Sequence, residues 1–191
     1  MHTEYLNQFI DALTNSAFYK GDEQLKSYEE GIQLLLDVFT EVKKTGHLAY
    51  FAGNGGSAAI ASHMTSDFKK NGNMKTGALL DASVLTCFGN DFGYEQIYSK
   101  QLEQVGNEGD LLVAISSSGN SMNIVNAITE ARRKGMKVIT LSGFKPDNKI
   151  KSMGDVNVYV AMEHYGIVES VHVTILQQVV DAILERDGAF K

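Results

Sequence analysis

Two short stretches of this chain gather small polar groups in the way an anion site needs. The first, "GNGGSAA" (53–59), places Gly53, Gly55 and Gly56 after an apolar run and before a helical pattern. Glycine there allows a positive φ and lets a ligand approach the main chain closely, so residues Asn54, Gly55, Gly56 and Ser57 read as an anion cradle at a helix amino terminus. The second, "ISSSGNS" (115–121), repeats the logic with hydroxyls at Ser116, Ser117, Ser118 and Ser121 ahead of "MNIVNAITEARRKG". Hydroxyls, backbone N–H groups and a helix amino end hold a phosphate without any lysine or arginine. The first loop lacks the last glycine of G-x-G-x-x-G and has no Gly-Lys-Ser/Thr, which argues against a dinucleotide fingerprint and against a P-loop. A plain tight turn and a capping serine are the competing structural readings.

A second set of residues has the chemistry of proton transfer or metal binding. His63 and Asp67, in "HMTSD", lie four apart and share a helix face. Glu169 and His172, in "ESVH", lie three apart, with Gln177 two turns beyond Glu169. Imidazole and carboxylate pairs act as general acids and bases. They also bind divalent ions such as zinc, and His63, Asp67, Glu169 and either His172 or Gln177 would complete a four-ligand set. A solvated helix face or a local hydrogen bond is the competing reading of His63 and Asp67. Lys69 and Lys70 stand either near a phosphate or on a solvated helix end, and Cys87, after the apolar "SVLT", reads as a small core residue.

The elements that must position these residues follow from apolar spacing. Leu6, Phe9, Ile10 and Leu13, then Ile32, Leu35, Leu36, Phe39 and Val42, recur every three or four residues and predict two leading helices. Short apolar runs at 47–52, 76–80, 110–116, 137–142 and 156–161, most of them separated by helical patterns, predict a mostly parallel sheet covered by helices on both faces. A last helix is expected from Tyr165 to Glu185. The 191 residues, 43% hydrophobic, read as one domain, with leading helices over 1–45 and an α/β core over 46–191. A net charge of -6 gives no broad basic field for nucleic acid. No stretch reads as the roughly 20 apolar residues of a membrane span, and the amino terminus lacks the pattern of a secretion signal. A single cysteine cannot pair within the chain, so a reducing cytoplasm is expected.

"GNGGSAA", "ISSSGNS" and, between them, "GNDFGYEQIYSKQLE" (89–103) resemble the sugar isomerase (SIS) domain, and within it the sedoheptulose 7-phosphate isomerases, also called phosphoheptose isomerases. The resemblance implies a three-layer α/β/α sandwich with a five-stranded parallel sheet, no organic cofactor, and a homotetramer with sites between subunits. It implies a sugar phosphate whose phosphate sits on Ser116, Ser117, Ser118 and Ser121. Asn54, Gly55, Gly56 and Ser57 would meet the sugar or phosphate, and Asn90 and Asp91 its hydroxyls. The expected reaction interconverts a ketose and an aldose phosphate: a base removes the proton beside the carbonyl, and an acid or metal steadies the enediolate.

The chain departs from its relatives at the reacting groups. They carry glutamate where this chain has Asp67, glutamine at Glu169, a catalytic histidine at Gln177 and arginine at Asn71. Aspartate is one methylene shorter than glutamate, and glutamine exchanges no protons near neutral pH. One expectation is therefore relocated chemistry, with Glu169 or Asp67 as base and His172 or His63 as partner. The alternative is a SIS module that binds a sugar phosphate or a protein and catalyses nothing.

Overall fold

A computed structural model describes residues 2–188. Helix α1 (His2–Thr14) leads into a β-hairpin, β1 (Ala17–Lys20) and β2 (Glu23–Gln24), and then α2 (Tyr28–Thr45). The core follows as β3 (Leu48–Gly53), α3 (Gly56–Lys70), β4 (Lys75–Ala78), α4 (Ala82–Phe92), α5 (Ser99–Val105), β5 (Leu111–Ser116), α6 (Met122–Arg133), β6 (Lys137–Gly143), β7 (Val156–Val160) and α7 (Tyr165–Arg186). The sheet order is β2-β1-β7-β6-β5-β3-β4. The five expected strands are present and mutually parallel, and the hairpin adds two more, with β1 antiparallel to β7. That correction has a simple cause. β1 and β2 are four and two residues long, too short for a period-two pattern to stand out beside the helices on either side.

β5 and β7 are buried along their whole length, as parallel strands covered on both faces must be. Alternate residues feed two cores. Ala49, Phe51, Val113, Ile115, Ile139 and Leu141 pack with α2, α3 and α7. Tyr50, Ala52, Leu112, Ala114 and Val138 pack with α5 and α6. The first core is fixed by three aromatic rings, Phe39 on Phe68 at 4.3 Å and Phe51 on Phe68 at 5.6 Å between centroids. α7 is apolar and long enough to cross a bilayer by composition, but one side of it, from Ile167 to Ile183, is core. Helix α4 buries none of its residues, and Cys87 on it is exposed, which corrects the reading of that residue as core.

Candidate active site

The site lies where the chain switches sides of the sheet. From β3 the chain enters α3 on one face, and from the neighbouring β5 it enters α6 on the other, so two loops part at adjacent carboxyl strand ends. A cleft of about 270 Å³ opens between them. Its walls are residues 54–57, residues 115–118 with Ser121, and Tyr165 and Glu169 from α7. Asn54, Gly55, Gly56, Ser57 and all four serines thus meet in one place.

Helix capping differs among the elements, and α5, away from the cleft, also lacks a side-chain cap. In α2 the Ser27 hydroxyl accepts from the Glu30 N–H at 3.2 Å, and in α4 the Asp81 carboxylate accepts from the N–H groups of Ser83 and Val84, each at 3.0 Å. The residues at the amino ends of α3, α6 and α7, Gly55, Ser121 and His164, make no such bond. First-turn N–H donors of α3 and α6 are therefore left for a ligand, and Gly55 reaches its position at φ +54°. The Ser121 hydroxyl accepts instead from that of Ser116 at 3.3 Å. The Ser117 hydroxyl is buried and has no hydrogen-bond partner among the described residues. A buried, unpaired hydroxyl beside an uncapped helix end is a site that a ligand oxygen would complete.

Charge is distributed unevenly across the cleft. Glu169 is the one charged residue among those that line it. Its carboxyl lies so close over Gly56 that a methyl group there would overlap it. That places a carboxylate against the first turn of α3, where the helix dipole favours negative charge. The Tyr98 hydroxyl donates to the Gly53 carbonyl beneath the loop, and burial pushes its pKa up to about 12, so it remains a donor at neutral pH.

Other expected residues are placed elsewhere in the single chain. His172 is fully buried on α7. Its Nε2 donates to the Ser142 carbonyl at 3.1 Å, its Nδ1 has no partner among the described residues, and burial lowers its pKa to about 4. It is a neutral core histidine joining α7 to β6, which differs from the expected acid–base partner of Glu169. His63 and Asp67 pair at 3.5 Å further along α3, with the imidazole more than half exposed. The Gln177 amide donates to Asp181 at 3.0 Å on a separate surface of α7. Asn90 and Asp91 are exposed on α4, where the Asn90 amide donates to Asp91 at 2.8 Å. Lys69 and Lys70 are exposed at the carboxyl end of α3, the end opposite the cleft. The expected zinc ligands His63, Asp67, Glu169 and Gln177 do not converge within one chain. No group of three His, Cys, Asp or Glu among the described residues is arranged to hold a metal.

Two residues of the site were not foreseen. Tyr165 opens α7 and lines the cleft. Asn123, in the first turn of α6 and 2% exposed, pairs with Asn54 through two bonds of 2.9 and 2.8 Å. A polar residue in the first turn of an amphipathic helix is the signal for Asn123, and it carries no motif.

A doubly wound sheet with glycine- and serine-rich loops at its switch point is the frame of a SIS domain, and the SIS domain family model matches residues 16–143. The chain is 37% identical to the phosphoheptose isomerase of Escherichia fergusonii, over 93% of this chain and 92% of that one. It is 39% identical to the phosphoheptose isomerase of Sodalis glossinidius, over 90% of each. The solved phosphoheptose isomerase of Neisseria gonorrhoeae superposes with a TM-score of 0.82 at 29% identity, covering 95% of this chain and 94% of that one. The chain belongs to the phosphoheptose isomerase family and is a phosphosugar isomerase.

Proposed function

We propose that the substrate is sedoheptulose 7-phosphate or a closely related ketose phosphate, and that Glu169 carries the proton transfer. The observation that supports this most is the division of the cleft among the described residues: uncapped donors and an unpaired hydroxyl at α6, and a lone carboxylate at α3. A phosphate dianion goes to the first end, away from like charge. The carbonyl end of the sugar then lies along residues 54–57 beside Glu169. The Glu169 carboxylate takes a proton from the hydroxyl-bearing carbon next to the ketone, giving an enediolate; the proton of that hydroxyl passes to the former ketone oxygen, and Glu169 returns its proton to the former carbonyl carbon as the aldehyde forms. Main-chain N–H groups of the α3 turn steady the negative oxygens. No step needs an organic cofactor, and none is assigned to a metal.

On this reading Glu169 takes over work that the family's glutamate does at position 67, because Asp67 lies well along α3 from the cleft and is occupied by His63. We read residues 1–191 as one SIS domain working in the cytoplasm, consistent with its single free thiol. We read the assembly as a homotetramer, because α1 exposes Tyr5, Leu6 and Ile10 and α4 exposes Phe92. The test is incubation with sedoheptulose 7-phosphate in deuterium oxide. Deuterium entering the carbon beside the carbonyl is the expected result. Tight binding without exchange would replace this reading with a sugar-phosphate-binding module.

A further inference from the structure

The two loops of the cleft leave the sheet in opposite directions. Adjacent strands hold their bases together, but above Gly53 and Ile115 the main-chain ladder between β3 and β5 ends. Among the described residues, the side-chain link that crosses the gap there joins Asn54 and Asn123. The Asn54 Nδ2 donates to the Asn123 Oδ1 at 2.9 Å, and the Asn123 Nδ2 donates back to the Asn54 Oδ1 at 2.8 Å. The same Asn54 oxygen accepts from the Tyr94 hydroxyl at 3.1 Å. A reciprocal pair of primary amides is planar and fixes distance and rotation together. Asn123 is buried, so it cannot exchange this partner for water at no penalty.

The pair also decides what Asn54 offers to a ligand. Its carbonyl is taken twice and one N–H once, which leaves the other N–H as the donor still available on a residue that lines the cleft. We propose that Asn123 is a positioning residue of the isomerase: through Asn54 it locks the β3–α3 loop to α6 and aims one amide N–H at an oxygen of the reacting end of the sugar. The proposal rests on the phosphate lying at the α6 end. Asn123 itself touches no substrate. Tyr94, 64% exposed, closes the outer side of the same network.

A double-mutant cycle tests this, with sedoheptulose 7-phosphate as substrate. Asn54→Ala and Asn123→Ala are each expected to lower kcat about tenfold or more, with inorganic phosphate affinity within twofold of wild type, and the double variant is expected to be no slower than Asn54→Ala alone. A general loss of structure would lower phosphate affinity with kcat, and independent roles would make the two losses multiply; either result overturns the proposal. Asn123→Leu, closer in volume, replaces Asn123→Ala if the latter does not fold. A second readout needs no turnover. The Asn54 amide proton bonded to Asn123 should exchange slowly with solvent in wild type and rapidly in Asn123→Leu, whatever the substrate proves to be. Fast exchange in wild type would sink the clamp even if isomerisation is confirmed, and slow exchange would uphold it if sedoheptulose 7-phosphate is not turned over.

Discussion

The two ends of the cleft accept negative charge by different means. At the α6 end none of the described residues that line the cleft is charged: they are serines beside main-chain donors, and the buried Ser117 hydroxyl has no partner among the described residues. At the α3 end Gly56, in the first turn of the helix, is covered by a carboxylate that belongs to the protein, that of Glu169. Similar strand–loop–helix units therefore do unlike work. On the proposed reading one is open to a ligand anion, and the other holds a carboxylate of its own beside the reacting end of the sugar.

Changing the charge or the fit at either end tests this contrast. Ser117→Asp puts a second carboxylate at the open end. Inorganic phosphate and sugar phosphate affinity should fall about 100-fold at low salt, and less at high salt, as calorimetry would show. An unchanged affinity would place the phosphate elsewhere. Gly56→Ala acts at the other end, because the added methyl group would overlap the Glu169 carboxyl and turn it away. A displacement of about 1 Å is expected to lower kcat by tens of fold while phosphate affinity stays near wild type. Equal loss of both would show that the two ends are not separate.

A smaller effect concerns the helix that delivers Glu169. His172 ties α7 to β6 as a neutral imidazole, with its pKa lowered to about 4 by burial. An unfolded histidine takes up its proton near pH 6.5, so its contribution to stability is complete above that pH and is lost as pH falls toward 4. At pH 5 the loss is about 2 kcal/mol, or a few degrees in Tm, relative to pH 7.5. His172→Gln removes the titration and keeps a donor, so its Tm should fall less over the same interval. An identical pH dependence in the two proteins would contradict the assignment.

The sequence was most legible where local pattern and tertiary role coincide. The apolar run of β5 and the serines after it specify a buried strand and a polar loop at once, and the spacing along α7 gives its length within a residue. It was least legible where function depends on which helix face meets which neighbour. Glu169, Asp67, His172 and Gln177 all sit on helices, and spacing alone could not separate a residue facing the cleft from one facing the core or solvent. Glu169 meets the cleft because Gly56 makes room for it, and His172, three residues on, is turned into the core. Asp67 lies about 16 Å along α3 from Gly56 at the rise of an α-helix. The hairpin at 17–24 and the Asn54–Asn123 pair were not legible, the first because its strands are short and the second because its partners are 69 residues apart.

The division of labour itself is tested most directly by Glu169→Gln, which removes the charge and keeps the shape. Deuterium exchange into sedoheptulose 7-phosphate should fall by about a hundredfold or more, while affinity for the sugar phosphate is kept or improved as like charge is removed from the cleft. Exchange at the wild-type rate, or loss of binding together with exchange, would contradict it.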